Sequence, residues 1–217
     1  KLAGKPVVAV ITSMAQPLGT HIGNALEVKD AIDVLAGRTQ GDLLEISLLL
    51  GSHMLVLAEK AKTLPEARTM LENALSSGAG LRKLAEMIAA QGGDPRVVED
   101  LSLLPQAAVK RVMRAETAGY LSAMDTTALG MAAQRMGAGR AKKSDMLDYS
   151  VGYVLHVRLG DEVTEDTPLA TLYARNEAEA EEAEKAIRKA LTIAKEKPSV
   201  PPLWDAVVTA EGITYNR

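Results

Sequence analysis

The hydrophobic pattern of this chain changes twice, from a solid apolar run, through a long stretch at helical spacing, to a second half with strand-like alternation. Residues 6–12 read Pro-Val-Val-Ala-Val-Ile-Thr. The run is apolar on both faces and rich in β-branched residues, which predicts a fully buried central strand of a parallel sheet. Such a strand needs neighbours on both edges, and the next hundred residues supply none, since they read as helix throughout. Leaving about five of its side chains in water would cost roughly 1.5–3 kcal/mol each. That sum rivals the roughly 5–15 kcal/mol that holds a typical domain together. The expectation is that a segment preceding Lys1 flanks the strand and that the sequence begins in mid-domain.

The helical stretch is well punctuated. Gly23 and Asn24 open a helix to Ala36, with Leu26, Ala31, Ile32 and Leu35 at helical spacing and Gly37 as its stop. Asp42 to Lys60 is apolar nearly all round, which predicts burial in a core or against a partner chain. Thr63-Leu64-Pro65-Glu66 is a capping-box pattern with proline in the first turn, and its helix ends near Ser77-Gly78. A further helix runs from Leu81 to Gln91 and stops at Gly92-Gly93.

After Pro105 the period changes. Ala107–Arg114 reads as a strand, Gly119-Tyr120 as a turn, and Asp125 as the cap of a helix to Met136. Asp148–Arg158 alternates, Gly160-Asp161 turns, and Pro168–Ala174 is another strand. Asn176 then caps a helix to Lys195 whose early acids and late bases suit the helix dipole, with Glu181–Lys185 and Glu184–Arg188 four apart. This order predicts an α/β part over residues 1–104 and an α+β domain over 105–217.

Composition narrows the function classes. At 217 residues, 47% hydrophobic and 24% charged, the chain has the make-up of an ordinary globular protein. A net charge of −3 gives no global basic field for nucleic acid or anionic membrane. With 3% aromatics and no Phe, a base-stacking surface for single strands is not expected. The absence of Cys excludes disulfides, thiolate zinc sites and a cysteine nucleophile. No apolar run is long enough for a membrane helix and no signal-peptide pattern is read, so a cytoplasmic location is expected.

The candidate chemistry lies in a series of short motifs. The first strand leads into Thr12-Ser13-Met14-Ala15-Gln16-Pro17-Leu18-Gly19 and then Gly23-Asn24-Ala25-Leu26-Glu27-Val28-Lys29. Leu50-Gly51-Ser52-His53-Met54, Gln91-Gly92-Gly93-Asp94, Glu116-Thr117-Ala118-Gly119-Tyr120 and Leu129-Gly130-Met131 follow. Met136-Gly137-Ala138-Gly139-Arg140, Asp148-Tyr149-Ser150-Val151-Gly152, Gly160-Asp161 and Pro168–Ala174 close the series. In order and spacing, this set resembles the C-terminal half of the pyrimidine-nucleoside and thymidine phosphorylases.

The resemblance implies a fold and a reaction. The fold is part of a mixed α/β phosphorylase domain followed by a C-terminal α+β domain with a barrel-like, hammerhead sheet. The reaction is reversible phosphorolysis of pyrimidine nucleosides in salvage, with phosphate as co-substrate, in a cytoplasmic homodimer. It needs an anion cradle and donors for the departing base. In the family these lie in the N-terminal half, and no Lys-x-Ser-x-Gly-Gly loop occurs here. Catalytic and substrate-binding residues are therefore not expected in this chain, which would need the missing N-terminal half as its partner and be inactive alone. The resemblance also implies a potassium ion, held here by the carbonyls of Leu18 and His21 and the carboxylate of Asp30. Asp30 stands where the family has Glu. The competing reading makes Leu18 and His21 turn residues and Asp30 a solvated helix position.

Other candidates have plainer readings. His53, in an apolar helix, reads as a core or interface histidine, and His21 and His156 are too isolated for a zinc triad. Gly78-Ala79-Gly80 reads as a helix stop. Gly137–Lys143, with Arg140, Lys142 and Lys143, reads as a mobile solvated loop or a lid over an anion. Gly160–Val163 with Pro168–Ala170 resembles biotinyl and lipoyl carrier domains, but neither Thr164–Thr167 nor Ala174–Asn176 offers a lysine to modify. A non-catalytic interaction half-protein is the remaining alternative.

Overall fold

The computed structural model of the chain describes residues 4–216. The first half holds β1 (Ala9–Thr12), β2 (His21–Ile22), α1 (Asn24–Leu35), α2 (Asp42–Leu57), α3 (Leu64–Ser76) and α4 (Ala79–Ala90). The second holds β3 (Val109–Arg114), β4 (Gly119–Met124), α5 (Thr126–Ala133), β5 (Gly152–Leu155), β6 (Glu162–Val163), β7 (Pro168–Ala174), α6 (Glu177–Ala190), β8 (Leu191–Ala194), β9 (Trp204–Val208) and β10 (Ile213–Tyr215). The fold is mixed α/β with three separate sheets, and it divides into two compact units. One comprises the described residues up to Ser13, Ile32–Val98, and those from Pro201 on; the other comprises Met14–Ala31 and Glu99–Val200.

In the first unit the apolar run at the start behaves differently from its expectation. Only Ala9–Thr12 is strand. It pairs antiparallel with β9, and β10 pairs on β9's far side, giving the order β1-β9-β10. Its faces are not buried: Val7 is 64% and Ile11 49% exposed. The β-branched residues did mark a strand, but the partner comes from the other end of the sequence, and the sheet is antiparallel. The helices of this unit pack in sequence, α2 on α3 and α3 on α4, around Val34, Leu44 and Leu48. α2 buries Leu44, Leu48 and Ser52 on one face and Ile46 on the opposite one, while Leu50, Met54 and Leu57 stay exposed, so this all-round apolar helix is only partly buried. The capping box of α3 forms as read: Thr63 accepts from Glu66 N, and Glu66 Oε2 accepts from Lys62 N.

The second unit carries the larger core. A four-stranded antiparallel sheet runs β2-β5-β7-β3, and a three-stranded one β6-β4-β8. Both are open; no closed barrel forms among the described residues. α6 packs on β7 and β3, and α5 packs on α6. Met113, Leu121, Leu129, Tyr153, Leu172 and Ile187 fill the space between and are almost fully buried. The Tyr153 hydroxyl donates to the Leu129 carbonyl (2.8 Å), which satisfies its one polar atom inside this core.

Two local expectations are corrected here. Gly119-Tyr120 is the opening of β4 rather than only a turn, because Leu121 and Met124 behind it bury against the core. The helix expected to reach Lys195 stops at Ala190, and Leu191–Ala194 forms β8 against β4. Leu191-Thr192-Ile193 has the β-branched character a strand wants, and the long-range pairing outweighs helix continuation.

Candidate cation site

The residues expected to hold an ion lie on the segment that enters α1, and that segment is held from several directions. Thr126 Oγ1 donates to the Met14 carbonyl (3.3 Å), and Gln16 Oε1 accepts from Leu159 N (2.9 Å). Arg158 reaches back with Nη1 to the Pro17 carbonyl (2.6 Å) and Nη2 to the Leu18 carbonyl (3.4 Å). Leu155 N donates to the Thr20 carbonyl (2.8 Å), which starts the β2–β5 pairing with His21 opposite Val154.

Two glycines make that pairing possible. Gly23 and Gly152 both have positive φ, and their backbones almost touch. A Cβ built on Gly152 would lie 2.1 Å from the Ile22 carbonyl oxygen, and one on Gly23 would lie 2.5 Å from that of Val151. Only a residue without a side chain permits this approach. Just beyond it, α1 is fastened by Ala25 N to the Tyr149 carbonyl (3.0 Å) and by Asn24 Nδ2 to the Ala138 carbonyl (2.8 Å).

The structure brings two of the three candidates together. His21 Nδ1 lies 3.4 Å from Asp30 Oδ1 and 3.1 Å from Thr20 Oγ1. Asp30 is only 4% exposed, so it is not a solvated helix position. Leu18 stands apart: its side chain is exposed, and its carbonyl faces the Arg158 guanidinium. The donors that the resemblance implies, two backbone carbonyls and a carboxylate, are all oxygens, the kind hard cations take, but the contact that His21 makes to Asp30 is through its ring Nδ1 rather than its carbonyl. A carbonyl oxygen has two lone pairs, so the long Arg158 contact leaves Leu18 one for an ion. Among the described residues no group of three or more His, Cys, Asp or Glu is placed to hold a metal, so a site here would lean on backbone carbonyls.

The remaining candidates sort themselves by surroundings. His53 Nε2 is buried without a hydrogen-bond partner, and burial holds its pKa below the ordinary histidine value. His156 Nε2 lies 2.7 Å from Thr171 Oγ1, and burial, then the charge of Lys110, lowers its pKa. Gly78 takes a left-handed conformation between α3 and α4, as a helix stop does.

The basic loop after α5 is more ordered than its sequence suggested. The helix continues as one wide turn over Gln134–Ala138, with Gly137 at φ 108°, and Asp148 N closes the loop on the Gly137 carbonyl (3.0 Å). Inside it, Asp145 Oδ2 accepts from Ala141 N (3.1 Å) and Lys142 N (3.0 Å), while Arg140 Nε donates to the Asp145 carbonyl (3.1 Å). Sequence reading missed Asp145 and Arg158. The first had a signal, an acid close behind a glycine-rich turn. The second had none, because its partners lie at the other end of the unit's sequence.

With this geometry in place, comparison with known proteins adds the following. Residues 120–194, from β4 to β8, match the model of the family described as pyrimidine nucleoside phosphorylase C-terminal domain. The chain is 49% identical over 174 residues to a pyrimidine-nucleoside phosphorylase of Bacillus subtilis, covering 80% of this chain and 40% of that protein. It is 48% identical, with the same coverage, to one of Geobacillus stearothermophilus. It is 41% identical over 206 residues to one of Staphylococcus aureus, covering 95% of this chain and 47% of that protein. The chain thus spans less than half the length of the curated relatives it matches.

Proposed function

Because the chain belongs to the pyrimidine-nucleoside phosphorylase family, as its C-terminal part, we propose that it serves the reversible phosphorolysis of pyrimidine nucleosides. A phosphate oxygen attacks the anomeric carbon, the glycosidic C–N bond breaks, and the base leaves with the electron pair and takes a proton. The products are free base and (deoxy)ribose 1-phosphate, so the reaction is a pentosyl transfer, and its place is cytoplasmic nucleoside salvage. The observation that carries this reading is the identity of 41% over 206 residues, which runs through both units rather than one motif.

In this reading the chain supplies frame rather than chemistry. The phosphate cradle and the base-binding donors lie in a further, N-terminal part, which is its first partner, and the working enzyme is a homodimer. The exposed Leu50, Met54 and Leu57 of α2 support an apolar cover over that helix in the complete enzyme. A potassium ion, held by the Asp30 carboxylate and the carbonyls of His21 and Leu18, supplies a positive charge that braces the entry to α1. The burial of Asp30 beside His21 supports it.

The test is direct. Uridine or thymidine is incubated with phosphate and release of free base is followed by chromatography. The 217-residue chain alone is expected to release none, since nothing in it positions the attacking phosphate. A chimaera that joins the N-terminal part of the Bacillus subtilis relative to this chain is expected to turn over. Turnover by the isolated chain would refute the division of roles, and a folded but inactive chimaera would refute the reading itself.

A further inference from the structure

The loop from Gly139 to Asp145 is built like an anion receptor, and its own chain fills it. Two consecutive backbone N–H groups, of Ala141 and Lys142, converge on a single oxygen, Asp145 Oδ2, at 3.1 and 3.0 Å. Successive N–H groups turned toward one point form a concave partial positive charge, which is how protein backbone binds phosphate. Around this point the sequence places three cations within four residues, Arg140, Lys142 and Lys143. Lys142 Nζ lies 3.9 Å from the other Asp145 oxygen, and Arg140 is drawn in by the Asp145 carbonyl. Two N–H groups and the Lys142 ammonium therefore face one carboxylate of charge −1, with Arg140 and Lys143 beside them in the sequence.

The loop is also fixed where it leaves the core. Gln134 Nε2 donates to the Arg140 carbonyl (2.6 Å), Asp148 N closes on Gly137, and Asn24 Nδ2 holds the Ala138 carbonyl. Asp148 does not enter the cradle, because its carboxylate accepts from the backbone N–H and hydroxyl of Ser150. Asp145 is the single acid in the loop between Gly139 and Met146.

We propose that this loop is a binding site for a phosphoryl group, as inorganic phosphate or a phosphate ester, and that Asp145 occupies it as an internal competitor. A phosphate near neutral pH carries about −1.5 to −2 and three acceptor oxygens, a better match to three cations and two N–H groups than one carboxylate. The ligand displaces the Asp145 side chain, takes the N–H groups of Ala141 and Lys142, and gathers Lys142 and Lys143. The tethered carboxylate keeps the empty loop folded and sets the threshold that the anion must overcome. The inference stands on the loop alone and does not depend on the proposed reaction.

The experiment uses the 217-residue chain labelled with nitrogen-15. The amide signals of Ala141 and Lys142 are followed during titration with inorganic phosphate and, separately, with a pentose 1-phosphate, with chloride as the reference at equal ionic strength. In Asp145→Ala these signals are expected to shift saturably, with a Kd at least ten-fold below that of the unmodified chain. Asp145→Asn, which keeps an acceptor and the fold of the loop but loses the charge, is expected between the two. Adding Lys142→Ala and Lys143→Ala to Asp145→Asn is expected to weaken binding at least five-fold. Equal affinity for the two ligands supports a cradle that reads the phosphoryl group alone; tighter binding of the ester supports one that also touches the sugar. Shifts no larger with phosphate than with chloride, or a Kd unchanged in both Asp145 variants, would overturn the proposal.

Discussion

Substituting Gly152 by alanine tests the joint between β2 and β5, where the entry to α1 is fixed. The added Cβ would sit 2.1 Å from the Ile22 carbonyl oxygen and 2.9 Å from Gly23 Cα. An ordinary carbon–oxygen contact needs more than 3 Å, so the two backbones must part by about 1 Å, which breaks the register at His21 and Ile22. The φ of +148° adds strain of about 1–3 kcal/mol for any residue with a side chain. Overpacking adds about 1–3 kcal/mol more. A total of roughly 2–6 kcal/mol corresponds to a fall in Tm of about 5–20 °C for a chain of this size. Gly130→Ala is the matched control: it lies within α5, a Cβ there meets nothing within 4 Å, and alanine should stabilise by about 0.5–1 kcal/mol. Thermal unfolding followed by circular dichroism reads both. A Gly152→Ala protein melting within 2 °C of the parent would show that the close approach does not constrain this joint.

Two other outcomes follow from the charges. Burial pushes the Glu184 carboxyl up, but hydrogen bonds from Arg188 and Arg111 outweigh it and hold the pKa below the usual range. A depressed carboxylate pKa gives stability that is complete above the unfolded value and fades as pH falls through the folded one. Glu184→Gln should therefore lose about 1–3 kcal/mol at pH 7 and converge with the parent below about pH 4, and a constant gap across that range would contradict it. In the active chimaera, potassium should raise Tm relative to an equal concentration of tetramethylammonium by mass-action linkage, and Asp30→Asn should remove that rise; an unchanged rise would take Asp30 out of the site.

What the sequence made legible was local. The capping box at Thr63, the Asn176 cap of α6 and the Glu181–Lys185 and Glu184–Arg188 pairs all form as their spacing implies. These depend on neighbours three or four residues away, which a sequence displays. The partner of β1, the switch from α6 to β8 and the Arg111–Glu184 pair depend on residues far along the chain, and one sequence carries no record of which distant segments meet. The candidate site divides in the same way. Asp30 and His21 were read from family resemblance, and their 3.4 Å approach depends on where β2 delivers His21. Arg158, whose guanidinium grips Pro17 and Leu18, looked like any surface arginine. The basic loop was legible as cations and glycines, but the turn that Asp145 closes on the N–H groups of Ala141 and Lys142 shows only in the structure.

The pairing of β1 with β9 also sets an order of events during synthesis. Ala9–Thr12 leaves the ribosome among the first of these residues, and its partner Trp204–Val208 among the last. Closing a loop of about 190 residues in one step would cost roughly 4–5 kcal/mol of chain entropy, but folding of Glu99–Val200 with Met14–Ala31 first would shorten the span to be closed. Between the emergence of Ile11 and that of Trp204, the run Val7-Val8-Ala9-Val10-Ile11 has no β9 to pair with. A β-branched, uncharged segment is the kind that pairs with copies of itself, and a chaperone bound near Pro6 would protect this protein most while Trp204–Val208 is still unmade.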